Sequence, residues 1–180
     1  MDTKELYREI LNEHNINPLH KKEMENPTMT LNGVNPRCGD DITLNLKIEG
    51  DVVTDASFTG SGCAISQASC DMMADVIIGK SKEAALKLAE IFDRMIKGEV
   101  SEEELEDLDE AASLQDISHM PARVKCAMLG WRTMKEMLGI KEQNPDYEMV
   151  SASVVGRDSA SAFGKFTVNK GSFNGVELND

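Results

Sequence analysis

The stretch from residue 41 to residue 60 restricts the fold more than any other part of the chain. In its first half, DITLNLKIE, apolar side chains alternate with polar ones, which is the period of a β-strand with one buried and one exposed face. Gly50 and Asp51 then form a turn signal, and VVTDASFTG returns as a second strand. We predict an antiparallel hairpin whose buried face carries Ile42, Leu44, Leu46 and Ile48, and whose exposed face carries Thr43, Asn45, Lys47 and Glu49.

Two cysteines flank this hairpin. Cys38 precedes the first strand, in the stretch NPRCGD, and Cys63 follows the second, in GSGC, where a helical pattern begins. The two ends of an antiparallel hairpin lie on the same side of its sheet, so we expect Cys38 and Cys63 to be close in space. A shared site is therefore favoured over two unrelated core thiols.

Helical periodicity accounts for most of the remaining chain before the C-terminal region. An amphipathic helix is predicted over residues 2–16. Ser81 and Ser101 are placed as N-caps of two later helices. Pro121 is a helix-initiating residue before a further apolar pattern. The sequence therefore predicts several helices beside one small antiparallel sheet.

The composition changes in the C-terminal region. From Asn144 onward the chain is rich in Ser, Gly and Asn and has no helical periodicity. We predict one domain over residues 1–140 and a C-terminal extension over residues 141–180. The extension is expected to be flexible or weakly docked, or to form a hairpin around FTVNKGSF.

The charge and the cysteine count limit the classes of function. Nineteen basic against 32 acidic residues give a net charge of -13, which disfavours binding to nucleic acid or to anionic lipid. The sequence shows no export signal and no apolar run long enough to cross a bilayer, so we expect a cytoplasmic protein without membrane contact. Cytosolic thiols stay reduced, and the four cysteines therefore favour metal binding or thiol chemistry over disulfides. The alternative for each is a small buried hydrophobe.

Three motifs, NPRCGD, GSGCAISQAS and VKCAMLGW, form a specific set. With them, residues 1–140 resemble the IscU/NifU-like iron-sulfur cluster assembly family, and within it the SufU branch. The resemblance implies an α/β (α+β) fold in which a small antiparallel β-sheet is covered on one face by helices. It also implies that three cysteines and an aspartate are presented at one end of the molecule.

Carried onto this sequence, the resemblance makes Cys38, Asp40, Cys63 and Cys126 the metal ligands. Three thiolates and one carboxylate oxygen suit a tetrahedral zinc ion. A thiolate of Cys63 at a helix N-terminus would be favoured by the free backbone N–H groups there. Cys70 lies seven residues further along the same helix, ~10 Å away, and is expected to be a buried core thiol. No residues are assigned to an organic cofactor.

A zinc ion with four anionic ligands needs a compensating positive charge. Arg123 is the candidate, because it precedes Cys126 by three residues and so projects from the same helix face. In the SufU branch, an arginine here is associated with the metal site and with the desulfurase interaction. We therefore predict catalytic roles for Cys38 and Arg123.

One departure from the broader family concerns the residue before the last cysteine. IscU-type proteins have histidine there, whereas this chain has Lys125. A protonated lysine cannot ligate zinc, and this difference fits the SufU branch. For the three histidines, His14, His20 and His119, we expect surface or structural roles.

The resemblance implies a zinc-dependent sulfurtransferase that works with a SufS-type pyridoxal-phosphate cysteine desulfurase in iron-sulfur cluster assembly. A thiolate held by zinc is a weak nucleophile; exchange of Cys38 for a histidine of the desulfurase would release it to accept persulfide sulfur. Downstream iron-sulfur assembly proteins would receive that sulfur. Two alternatives stay open: a scaffold that builds an iron-sulfur cluster on the same ligands, and a regulatory adaptor in which zinc only stabilises the fold.

Overall fold

The computed structural model describes residues 3–143, 154–158 and 165–168. The chain separates into two units, Met1–Glu142 and Gln143–Asp180. Along the chain the elements are α1 (Thr3–Ile16), β1 (Met29–Asn35), β2 (Asp40–Glu49), β3 (Val52–Ser61), α2 (Ala64–Ile77), α3 (Lys82–Lys97), α4 (Glu102–Glu106), a 3-10 helix (Asp109–His119), α5 (Pro121–Gln143), β4 (Val154–Asp158) and β5 (Lys165–Val168).

In the second unit, β4 and β5 pair antiparallel. Only the first part of the stretch FTVNKGSF belongs to β5, and its remainder lies outside the described residues. The hairpin predicted around that stretch is therefore untested. The domain boundary at residue 140, and the flexible or weakly docked extension, likewise stay predictions.

The hairpin predicted between residues 41 and 60 is confirmed as β2 and β3. β1 pairs antiparallel with the other edge of β2, which gives a three-stranded sheet in the order β1-β2-β3. Ile42, Leu44 and Leu46 are buried, as the alternation predicts. The prediction for Asn45 is wrong, because β1 covers it: Asn45 is only 6% exposed, and the Thr30 hydroxyl donates to its Oδ1 at 2.8 Å.

The two outer edges of this sheet differ. Along β3, the Phe58 N–H donates to the His20 carbonyl at 2.9 Å, and the Val53 N–H donates to the Lys80 carbonyl at 2.9 Å. These contacts cover the β3 edge with two loop segments. No strand pairs with the outer edge of β1 within the part of the chain that the structure describes.

The helices lie on one face of the sheet, as the family resemblance implies, and the core lies between. α5 packs against α2, where the Ser69 hydroxyl donates to the Ala127 carbonyl at 2.7 Å. It packs against α3 through Trp131, whose ring stacks on Phe92 with 4.4 Å between centroids. Cys70 of α2 is fully buried, as predicted, and burial raises the pKa of its thiol to about 12.

The predicted starts of α3, α4 and α5, at Ser81, Ser101 and Pro121, are confirmed. The Ser81 hydroxyl accepts the Ala84 N–H at 3.1 Å, and Ser101 and Glu104 form a complete capping box at the start of α4. No helix among the described residues has the length and apolar character that crossing a membrane requires.

Candidate metal centre

The four predicted ligands come from three places in the fold. Cys38 lies in the turn between β1 and β2, and Asp40 begins β2. Cys63 is the N-cap of α2, and Cys126 lies in α5. Gly39 separates the first two ligands with a φ of 70°, a left-handed conformation that glycine adopts without steric cost. This glycine lets the chain reverse tightly between the Cys38 thiol and the Asp40 carboxylate.

Three of the four side chains converge closely. The ligating atoms of Cys38, Asp40 and Cys126 all lie within 4.8 Å of one another, and the two sulfur atoms are 3.1 Å apart. The Cys63 sulfur is not part of this group, but its residue adjoins it, because the Cys63 backbone N–H donates to Asp40 Oδ1 at 2.7 Å. The structure therefore brings Cys38, Asp40 and Cys126 together and places the fourth predicted ligand, Cys63, next to them.

The Asp40 carboxylate is fully buried and hydrogen-bonded on both oxygens. Oδ1 accepts the backbone N–H of Cys63 at 2.7 Å, and Oδ2 accepts the Asn35 amide at 2.9 Å. Burial raises the pKa of Asp40, but these donors and the neighbouring thiols outweigh it, so the net shift is downward. Asp40 is thus a carboxylate held ionised inside the protein.

The Cys126 thiol is also fully buried. Burial, followed by hydrogen bonding with Cys38 and Asp40, raises its pKa. A thiol in such surroundings is inert until a cation arrives, because a coordinating metal deprotonates it outright. The ionised Asp40 carboxylate and the neutral Cys126 thiol beside it therefore suit a cation that binds both oxygen and sulfur.

The start of α2 fixes the fourth side chain. The Cys63 sulfur accepts the Ser66 N–H at 3.4 Å and so caps the helix. Gly62, just before it, leaves little room for a side chain: a Cβ there would lie 3.2 Å from Asp40 Oδ1 and from Ser66 Oγ. Because Gly62 has no side chain, the segment before α2 passes close enough to Asp40 for the Cys63 N–H to donate to its carboxylate.

Asn35 is a site residue that sequence reasoning missed. Its amide Nδ2 donates to Asp40 at 2.9 Å and reaches the Cys126 sulfur at 3.4 Å. Asn35 is the first residue of the motif NPRCGD, in which the Asn-Pro pair predicts only a turn. Its opposition to Asp40 across the β1–β2 register could have identified it, because paired residues of neighbouring strands are in contact.

Arg123 lies on the first turn of α5, three residues before Cys126, and is exposed. Its predicted role at the metal is not tested by any contact of the described side chains. Lys125, beside Cys126, is exposed as well.

A second group of potential ligands surrounds His14, which is buried. Nδ1 lies 2.7 Å from Asp71 Oδ2, and Nε2 lies 2.7 Å from Glu110 Oε2. Both ring nitrogens face carboxylates that can only accept when ionised, which requires a protonated imidazole. His14 thus joins α1 to α2 and the 3-10 helix, which is a structural role.

Comparisons with known proteins agree on one family. A family model described as the NifU-like N-terminal domain matches residues 6–139. The zinc-dependent sulfurtransferase SufU of Bacillus subtilis strain 168 is 40% identical over 137 residues, which is 76% of this chain and 92% of that protein. The iron-sulfur cluster assembly scaffold protein IscU of Streptococcus pyogenes serotype M1 is 41% identical over 134 residues, 74% of this chain and 82% of the relative.

A solved structure agrees with these relatives. It is a protein of Fervidobacterium islandicum AW-1 described as an iron-sulfur cluster assembly scaffold for the SUF system. It superposes with a TM-score of 0.68 at 34% identity, covering 76% of this chain and 99% of its own. The matched residues include the three-stranded sheet and all four predicted ligands. The chain therefore belongs to the NifU-like N-terminal domain family of iron-sulfur cluster assembly proteins, which confirms the predicted resemblance.

Proposed function

We propose that the protein is a zinc-dependent sulfurtransferase that accepts persulfide sulfur from a SufS-type cysteine desulfurase. The observation that carries this proposal is the group of two thiols and one buried carboxylate within 4.8 Å, bordered by the thiol of Cys63. The relative from Bacillus subtilis, whose name states a zinc-dependent sulfurtransferase, supports the same reading.

The donor set fits zinc better than a hard cation. Calcium and magnesium prefer six or more oxygen ligands or retained waters, whereas zinc takes four ligands and accepts thiolate sulfur. The residues that would hold it are Cys38, Asp40, Cys63 and Cys126. When bound, zinc would keep these thiols ionised and lower their nucleophilicity.

We assign Cys38 as the sulfur acceptor. It is half-buried and lies in a turn, so it can move without disturbing a helix or strand. Cys126 is fully buried within α5, and the Cys63 sulfur is engaged as the cap of α2. A partner protein can therefore reach Cys38 more readily than Cys126.

The transfer is a thiol–disulfide type of exchange. The Cys38 thiolate attacks the outer sulfur of the desulfurase persulfide, and a new S–S bond forms on Cys38. The S–S bond on the desulfurase breaks, and its cysteine leaves as a thiolate, so no oxidant or reductant is consumed. Arg123, exposed on the first turn of α5, would supply positive charge for the incoming anionic persulfide.

The test is transfer of labelled sulfur from a SufS-type desulfurase under anaerobic conditions, followed by intact mass. We expect the wild-type chain to gain one sulfur atom on Cys38 and to accelerate cysteine turnover. Cys38→Ser should lose both effects while still binding the desulfurase. Cys70→Ala is the matched control, because it removes a thiol buried away from the site, and it should transfer normally. A Cys38→Ser protein that still accelerates turnover would favour the adaptor instead.

A second candidate is an iron-sulfur cluster scaffold on the same ligands. The relative from Streptococcus pyogenes, named as such a scaffold, is as similar to this chain as the SufU relative. Anaerobic reconstitution with iron and sulfide separates the two functions. A cluster that forms on the wild-type chain and passes to an apo-acceptor would support the scaffold.

A further inference from the structure

A cleft runs beside the metal centre, between the outer edge of β1 and α5. Its volume is about 440 Å³, and its walls are formed by residues 32–37 and by one face of α5. In the lining of the cleft, β1 and α5 come close together at Gly33, where a side chain would not fit: a Cβ there would lie 2.2 Å from Thr133 Oγ1. Asn35 belongs both to the cleft and to the metal centre, so the two sites share a wall.

The lining of this cleft is positive in an otherwise acidic protein. Arg37, Lys125 and Arg132 line it, and Glu136 is the one acidic residue among the lining residues that the structure describes. All three cations are exposed, and none takes part in an ion pair among the described residues. A chain with a net charge of -13 thus keeps three cations together in one cleft, and none of the three pairs with an acidic side chain that the structure describes.

The free edge of β1 adds a second feature. An edge strand presents alternate N–H and C=O groups that can pair with another chain. β1 is seven residues long, and along the described chain nothing pairs with its outer edge. Val34, in the same strand, is an apolar side chain that is 55% exposed. The cleft therefore offers a strand edge for backbone pairing, three cations and the apolar side chain of Val34.

We propose that this cleft is the docking site for an extended acidic segment of a partner protein. The segment would add as a strand to the free edge of β1 and place its carboxylates against Arg37, Lys125 and Arg132. The acidic remainder of the surface repels such a segment, which directs it to the cleft. Because Arg37 and Lys125 adjoin Cys38 and Cys126 in sequence, a docked partner would stand beside the metal centre.

The proposal is tested with a fluorescein-labelled peptide of about eight residues that alternates Glu and Val, matched in length to an edge strand. Its binding to the full-length protein is followed by fluorescence anisotropy. Arg132→Glu is the cleft variant, and Lys87→Glu, an exposed reversal on α3, is the matched control with the same change in net charge. A Lys-Val peptide and a peptide methylated on alternate backbone nitrogens probe charge and strand pairing.

We expect saturable binding that Arg132→Glu weakens roughly tenfold, because one attraction becomes a repulsion. Lys87→Glu should have a much smaller effect, and the Lys-Val and methylated peptides should bind weakly. Raising the salt from about 50 to about 500 mM should also weaken binding.

Several results would overturn the proposal. These are no saturable binding, equal binding of the Lys-Val peptide, or equal losses in the two variants. Displacement by N-acetylglutamate at the same carboxylate concentration would assign the cleft to small anions instead. If circular dichroism shows that Arg132→Glu is unfolded, Arg132→Gln replaces it. A folded Arg132→Gln protein with unchanged peptide affinity contradicts the docking site.

Discussion

Replacing Gly130 with alanine tests the packing of α5 on α2, which brings Cys126 to the other ligands. A Cβ at position 130 would lie 2.6 Å from the Cys70 sulfur, and Cys70 is fully buried. The sulfur therefore cannot turn into solvent to make room. In Cys70→Ala the obstructing atom is gone, and the distances that remain, 3.6 Å to the Cys70 Cα and Cβ, are ordinary contacts.

The magnitude follows from two opposing effects. Overpacking a core costs about 1–3 kcal/mol, whereas alanine in place of glycine inside a helix gains about 1 kcal/mol. In the wild-type background we expect Gly130→Ala to lower the free energy of unfolding by about 1 kcal/mol. In the Cys70→Ala background the clash is absent, so the same change should raise it by up to about 1 kcal/mol. The coupling energy of the pair is thus about 2 kcal/mol.

The assay is urea unfolding of the wild type, both single variants and the double variant, all metal-free and reduced. The sign of the Gly130→Ala effect should reverse between the two backgrounds. If Gly130→Ala has the same sign and size in both, α5 does not approach α2 at Cys70 as closely as the structure places it, and the reasoning is refuted.

Two further predictions concern Asn35 and His14. Asn35→Leu removes the amide that holds Asp40 and should weaken zinc binding roughly 10- to 100-fold, measured by competition with a chromophoric chelator; unchanged affinity would remove Asn35 from the site. Burial lowers the pKa of His14, but Asp71 and Glu110 outweigh it and the net shift is upward from 6.5. A raised folded-state pKa stabilises the protein below the ordinary imidazole value, and this stabilisation is lost as the pH rises through the folded-state pKa. Urea unfolding at a series of pH values from 6.5 upward should show this loss in the wild type, and His14→Gln should flatten it; identical pH profiles would contradict the ion pair.

The hairpin could be predicted from the sequence because apolar and polar side chains alternate at every second position, which is the period of a β-strand and not of a helix. The same pattern failed at Asn45, since alternation within one strand contains no information about the neighbour that covers its outer face. Here that neighbour is Thr30 of β1, whose hydroxyl satisfies the buried amide.

For the site residues, too, neighbours in sequence could be predicted to lie together, whereas contacts between distant parts of the chain could not. Cys38 and Cys63 flank one hairpin, so local reasoning placed them near one another, whereas Asp40 was assigned through the family resemblance. Cys126 lies more than 60 residues beyond Cys63, and only the family resemblance linked it to the others. Asn35 was missed because its role depends on facing Asp40 across two strands, which a linear reading of an Asn-Pro pair does not reveal.

Metal content per chain is the most direct test of the central claim. The protein is purified anaerobically without added metal, and zinc, iron and acid-labile sulfide are measured in the wild type, Asp40→Ala, Cys126→Ser and the control Cys70→Ala. We expect about one zinc per chain in the wild type and in Cys70→Ala, and its loss in the other two variants. Iron with labile sulfide would instead support the scaffold. No bound metal, or zinc that persists in Asp40→Ala and Cys126→Ser, would contradict a metal centre on these residues.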